Sequence, residues 1–251
     1  MLFRSSVALS WSPDGTKIAI TSPGPDGNVQ TPHHWKIGLY VVPVFGGRPL
    51  PLQAGNHVGY DVAWSPRGDE LAYDNGGIWA IHPDGTGRRK ITDIGSGMRW
   101  SADGTQLVFG VAIHRIGMPR YARDRYHTFA AVNADGTGYH LVTTHAYTEY
   151  GQVWSPSGRQ ILYGRQNHQG IYLIDSDGRN NHRVTSDSPP QTLWGALAWS
   201  PNGHSIAYDT GTINGTGAAN TDLYLIGTDG RHKVQLTNTP DIDIAPSWVA
   251  D

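Results

Sequence analysis

Short apolar runs separated by turn residues recur along the whole chain. Ala196-Leu197-Ala198-Trp199 stops at Ser200-Pro201-Asn202-Gly203, and a second run, Ser205-Ile206-Ala207-Tyr208, follows at once. Proline presets φ for the second position of a tight turn, Asp or Asn suits the third, and glycine accepts positive φ without strain. Strand, turn and strand make a β-hairpin. The same pattern stands at Trp11-Ser12-Pro13-Asp14-Gly15, Trp64-Ser65-Pro66-Arg67-Gly68, Trp100-Ser101-Ala102-Asp103-Gly104 and Trp154-Ser155-Pro156-Ser157-Gly158, and Ser247-Trp248-Val249 begins a further copy.

Between the Trp copies lies a second repeated pattern. Ile171-Tyr172-Leu173-Ile174 leads to Asp177-Gly178 and then Val184-Thr185; Leu223 to Ile226 with Asp229-Gly230 matches it, as do Ile78 to Ile81 with Asp84-Gly85 and Phe129 to Val132 with Asp135-Gly136. Leu39 to Val42 with Gly46-Gly47 is the degenerate first copy. Two hairpins make a four-stranded unit. The Trp positions 11, 64, 100, 154, 199 and 248 are separated by 53, 36, 54, 45 and 49 residues. Four strands on a period of roughly 40–50 residues are the signature of a propeller blade. The reading is therefore all-β, a single β-propeller domain over 1–251 with five four-stranded antiparallel blades; the alternative is six blades with the last incomplete. The recurring Trp and Tyr residues are read as core, since packing between blades needs equivalent positions.

The W-S-P-D-G followed by I-A-Y, and the I-Y-L-I-D-x-D-G followed by V-T, resemble the WD40-like repeats of TolB-type propellers over nearly the whole chain. That resemblance implies fold. Repeats of this kind occur in periplasmic scaffold proteins, in the gating domains of prolyl oligopeptidase-type peptidases and in propeller-fold polysaccharide lyases, so it does not choose an activity.

Composition narrows the classes. A net charge of −2 gives no global field favouring nucleic acid or a membrane surface. The 32 glycines and 16 prolines are regularly interrupted by apolar strands, which fits a turn-dense fold rather than disorder. The absence of cysteine excludes disulfides, thiolate metal sites and a Cys nucleophile. No stretch is apolar enough for a membrane-spanning helix. The first residues, Met1 to Ser6, lack an apolar signal core, which leaves a cytoplasmic protein, or a periplasmic or secreted one whose signal has been removed.

In a propeller the S-P-D-G and D-G turns share one face, short and uniform. The connections between strands two and three, and from one blade to the next, share the other face; they are long and irregular and are expected to carry function at the channel mouth. The expected ligand-binding residues are Tyr60, Asp61, His114, Arg115, Arg120, Arg123, Arg125, Glu149, Arg165, His168 and Trp194. The excursion from Gly110 to His127 holds four arginines against Asp124, with Tyr121 and Tyr126 interleaved. Guanidinium forks suit carboxylate or phosphate, and aromatic rings stack on sugars. His145, Tyr147, Tyr150 and Arg120 are the catalytic candidates, since a Tyr or His base beside a carboxylate neutralised by Arg can abstract a proton, the logic of lyases acting on uronic-acid sugars. There is no G-x-S-x-G elbow. No metal ligands are assigned, because no H-x-H or H-E-x-x-H spacing occurs; a divalent metal would need imidazoles converging from different blades at the channel mouth.

Two functions follow. One is a non-catalytic, monomeric propeller that binds a protein partner or an anionic, carbohydrate-like ligand on its long-loop face. The other is a lyase or related enzyme acting on an acidic saccharide.

Overall fold

The computed structural model describes residues 8–22, 37–52, 58–59, 61–112, 127–143, 149–165, 170–185, 196–213 and 219–248. Among them there is no helix, and the strands form five four-stranded antiparallel sheets. The first sheet is β1 (Ala8–Trp11), β2 (Lys17–Ser22), β3 (Gly38–Pro43) and β4 (Leu50–Leu52). The second is β5 (Val62–Trp64), β6 (Leu71–Asp74), β7 (Ile78–Ile81) and β8 (Arg89–Thr92). The third is β9 (Ser96–Trp100), β10 (Gln106–Ala112), β11 (His127–Asn133) and β12 (His140–Leu141). The fourth is β13 (Glu149–Trp154), β14 (Gln160–Arg165), β15 (Gly170–Asp175) and β16 (His182–Arg183), and the fifth β17 (Leu197–Trp199), β18 (Ser205–Ile213), β19 (Ala219–Gly227) and β20 (Val234–Gln235). Hydrogen-bonded neighbours are consecutive in sequence throughout, so each sheet is a simple meander of two hairpins. These are the five blades that the repeats mark out.

The turn chemistry explains the repeats. In the first sheet the Ser12 hydroxyl donates to Asp14 Oδ1 at 2.6 Å and accepts from the Lys17 amide, while Asp14 Oδ1 accepts from the Thr16 amide and hydroxyl. Ser101 with Asp103, and Ser200 with Asn202, build the same cage. Where Arg67 replaces the acidic third residue, Ser65 donates to Asp69 instead. The threonines of the V-T pairs act in a parallel way. The Thr143, Thr185 and Thr237 hydroxyls accept from the amides of Phe129, Ile171 and Leu223 and so clamp the fourth strand to the third.

Two compact units divide the chain, Met1–Val111 with Val132–Tyr139, and Ala112–Ala131 with His140–Asp251. In the first unit the inner faces of the first two sheets bury Ala19, Leu39, Val41, Leu52, Val62, Trp64, Leu71, Tyr73 and Ile81 in one cluster. The Trp100 indole reaches across to donate to the Ala63 carbonyl at 3.1 Å. In the second unit Leu162, Ile171, Leu173, Val184, Leu197, Trp199, Ile206, Tyr208 and Ile226 form the corresponding cluster, and the Trp199 indole donates to the Val153 carbonyl at 3.2 Å.

Two features depart from the sequence reading, and a third agrees with it. Trp11 is exposed, unlike its buried counterparts Trp64, Trp154 and Trp199. The segment from Asp209 to Asn220, whose Gly, Thr and Asn residues read from sequence as a flexible loop, is largely strand: β18 and β19 pair as far as Ile213 with Ala219, with the β-branched Thr210 and Thr221 among the paired residues. The terminal Trp248 behaves as a sixth repeat. Its indole donates to the Ala198 carbonyl at 3.2 Å, and Ala245, three residues before it, has φ 60°, as Gly97 (65°) and Gly151 (68°) have three residues before Trp100 and Trp154. The tail therefore lies against the fifth sheet as an innermost strand does.

Candidate functional site

At the end of each sheet opposite the tight turns, the second strand finishes beside the start of the first. Two second strands share a motif: Leu71-Ala72-Tyr73-Asp74 makes up β6, and Ile206-Ala207-Tyr208-Asp209 lies within β18. Alternation along a strand sends Tyr and Asp to opposite faces. In the first unit Asp74 Oδ1 accepts from the Gly76 amide at 3.1 Å, and the Asp61 carboxylate accepts from the Gly97 amide at 3.0 Å. Burial pushes the Asp74 pKa above the ordinary carboxylate range; the Gly76 and Gly77 amides pull it back, and the charge on Asp61 pushes it further up. The two residues are neighbours through the backbone, the Asp74 amide donating to the Asp61 carbonyl at 3.3 Å. Gly59 leaves room for the Asp74 carboxylate: a Cβ there would lie 2.3 Å from Asp74 Oδ2.

In the second unit Asp209 is 1% exposed. Its Oδ2 accepts from the Ala245 amide at 2.9 Å and the Ala196 amide at 3.3 Å, tying the tail to the start of β17, while Oδ1 has no hydrogen-bond partner among the described residues. Burial raises the Asp209 pKa, and the two amides only partly offset it. Neither Asp74 nor Asp209 was nominated as a site residue from sequence. The signal was present, since both follow the tyrosine of the second strand.

The fourth sheet holds the most developed cluster. The β13–β14 register sets Glu149 opposite Arg165 and Tyr150 opposite Gly164, and the β14–β15 register sets Arg165 opposite Gly170 and Tyr163 opposite Tyr172. The Arg165 guanidinium folds over the Tyr172 ring, 4.3 Å from its centroid, and donates to the Tyr163 hydroxyl at 2.8 Å. The Tyr163 hydroxyl donates in turn to Asn181. The two tyrosine rings stack at 5.7 Å, and Arg165 is 7% exposed. Such a guanidinium is held rigid in a low-dielectric setting, where its attraction for an anion is strong.

Of the nominated residues, the backbone register thus brings Glu149 and Arg165 together, and Asp61 joins Asp74 in the other unit. Glu149 and Tyr150, expected in a connection, belong to strand β13. Tyr60, His114, Arg115, Arg120, Arg123, Arg125, His145, Tyr147, His168 and Trp194 lie outside the described residues. Among the described residues no group of three or more His, Asp or Glu could hold a metal ion. Two grooves lined by described residues lie at the tight-turn end, one of about 630 Å³ between the first and second sheets and one of about 430 Å³ beside His204, Asp229 and His232 in the fifth.

No protein-family model and no curated protein matches the chain. Solved structures do. The putative TolB from Agrobacterium tumefaciens is 19% identical with a TM-score of 0.62, over 92% of this chain and 79% of its own. An oligogalacturonate lyase in complex with manganese is 15% identical with a TM-score of 0.71, over 94% of this chain and 66% of its own. TolB from Acinetobacter baumannii is 17% identical with a TM-score of 0.60, over 96% of this chain and 56% of its own. The chain accordingly spans just under two-thirds of the lyase and a little over half of the Acinetobacter protein. The fold is that of a β-propeller, shared by a TolB and by an enzyme.

Proposed function

We propose that the chain is a non-catalytic binding propeller that takes a protein partner or an anionic ligand at the end of its sheets opposite the tight turns. The observation that supports this is the rigid Arg165, stacked on Tyr172 and bonded to Tyr163, with Glu149 in register opposite it. At the tight-turn end, Asp14, Asp84, Asp103 and Asp135 are consumed by their own turns. No other described sheet has an arginine at the equivalent position of its second strand. A guanidinium fork beside tyrosine rings suits a carboxylate-bearing ligand.

The second reading, a lyase acting on an acidic saccharide, is favoured by the TM-score of 0.71 to the oligogalacturonate lyase. In it Arg165 would neutralise the substrate carboxylate and a tyrosine or histidine would remove the adjacent proton. One experiment separates the two. Trigalacturonate is titrated calorimetrically with and without Mn²⁺, and ultraviolet absorbance follows any unsaturated product. Saturable binding without product, weakened in Arg165→Lys at unchanged Tm, supports the binding reading. Product formation that Arg165→Lys slows establishes the enzyme. Neither binding nor product overturns an anionic saccharide as the ligand.

A further inference from the structure

We propose that the groove between the first and second sheets, at the tight-turn end, is a docking site for an extended acidic segment of a protein partner carrying an apolar anchor. This is independent of the Arg165 site. One wall is a single face of the first sheet. Lys17 pairs with Pro43, and Val41 with Leu50, so Lys17, Val41, Pro43 and Leu50 all point the same way. The opposite wall comes from the turns of the second sheet, with Asp69, His82 and Asp84, and the space between is about 630 Å³.

The charges in the groove are unequal in availability. Asp69 is held by the Ser65 hydroxyl and by two bonds from Arg67, and Asp84 by the Thr86 amide and hydroxyl. The Lys17 and Arg48 side chains make no ion pair or hydrogen bond among the described residues. Two such cations over an apolar floor complement an acidic, partly apolar strand.

The turn beside the groove departs from the repeat in the same sense. Asp84, Asp135, Asp177 and Asp229 each accept from the amide two residues ahead and cap their turns. Phe45 stands at that position in the first sheet and is 90% exposed. An aromatic there forgoes the cap and places a ring in water, which does nothing for the fold. Exposed Val44 and Leu50 flank it. Pro51, in the middle of edge strand β4, removes a donor, so a ligand lies in the groove rather than extending the sheet.

The test is an NMR titration of the whole chain with the blocked peptide EDLFEDLE and its basic counterpart KKLFKKLK. The acidic peptide is expected to shift the amides of Lys17, Val41, Phe45, Leu50 and His82, and the basic one to leave them in place. K17E/R48E should weaken acidic-peptide binding by about tenfold or more at unchanged Tm. F45D, which restores the turn cap, should weaken binding while raising Tm. Shifts elsewhere, equal binding of the two peptides, or an unchanged Kd in K17E/R48E overturns the proposal. Concentration-dependent dimerisation abolished by F45D, with no peptide binding, makes a second copy of the chain the occupant and overturns it equally.

Discussion

The fifth sheet and the first are built from the same repeat, and the residues of that repeat do different things in them. Trp199 is 8% exposed, with its indole bonded to the Val153 carbonyl of the sheet before. Trp11 is 53% exposed. Gly230 is pressed against the fourth sheet, so that a Cβ on it would lie 2.7 Å from the Val184 carbonyl oxygen, whereas Gly46 has no atom within 4 Å of such a Cβ. Asp229 caps its turn; its counterpart Phe45 is exposed. The comparison separates two roles hidden in one motif. Ser and Gly shape a turn locally in every copy, helped by Pro and by Asp or Asn in most of them. Trp199 and Gly230, the Trp and second glycine of the fifth sheet, act on the sheet before it.

Substitutions can break that contrast or sharpen it. The largest effect is expected at tryptophan. Trp199→Ala should destabilise by about 3–5 kcal/mol, since it removes a buried aromatic and leaves a cavity, whereas Trp11→Ala should change stability by less than about 1 kcal/mol. Equal shifts in denaturant midpoint for the two would mean that Trp11 is covered in solution. Glycine comes next. Both Gly46 (φ 93°) and Gly230 (φ 77°) are in the left-handed region. Alanine at either meets that strain, about 1 kcal/mol; Gly230→Ala adds the overlap with Val184 and should cost about 1–2 kcal/mol more. Thermal melts of the pair measure the difference.

Two smaller effects test the ends of the series. Trp248→Phe keeps the ring but loses the indole donation to Ala198, which should cost about 0.5–1.5 kcal/mol and speed hydrogen exchange at the Ala245 amide. Unchanged exchange would show that the tail is held by Asp209 alone. The last concerns acid. The Ser12 hydroxyl, then the Thr16 amide and hydroxyl, hold the Asp14 pKa down at about 2. A carboxylate depressed in the folded state stabilises it above the unfolded value of about 4, and that contribution is lost as pH falls toward the folded value. Asp14→Ala should therefore flatten the fall in stability between about pH 4 and pH 2. Asp209 works in the opposite sense. Its raised pKa favours the protonated folded form, so Asp209→Asn should remove a gain in stability that appears as pH falls through that raised value.

The fold was legible because its signals are local and repeated. Each Ser-Pro-Asp-Gly is a turn by the chemistry of its own residues, and regular Trp spacing counts the sheets without any knowledge of contacts. The candidate site was legible only in part. Glu149 and Arg165 were singled out as charged residues of the long connections, but they belong to strands β13 and β14, and their pairing goes with a register shift between Tyr150 and Val153 that no motif announces. Asp74 and Asp209 passed unremarked, although Tyr73-Asp74 and Tyr208-Asp209 repeat, because an acid beside a turn looks solvated until the packing around it is known. Phe45 was visible as a degenerate copy, yet only its exposure shows that the departure has no structural use.

By itself the sequence determined what is decided within a hairpin: strand, turn type, the capping Ser and Asp, and the number of sheets. Hydrogen bonds over two to five residues, together with φ preferences, suffice for that. The tertiary structure decided what depends on a neighbour more distant in the chain. It made Trp199 core and left Trp11 at the surface, bonded the Trp248 indole to the fifth sheet, and buried Asp209 between two amides 49 residues apart, Ala196 and Ala245. Burial and charge coupling are properties of a site's whole surroundings, and those surroundings come from separate sheets. Identical repeats therefore acquire different energies, and different uses, only when they are assembled.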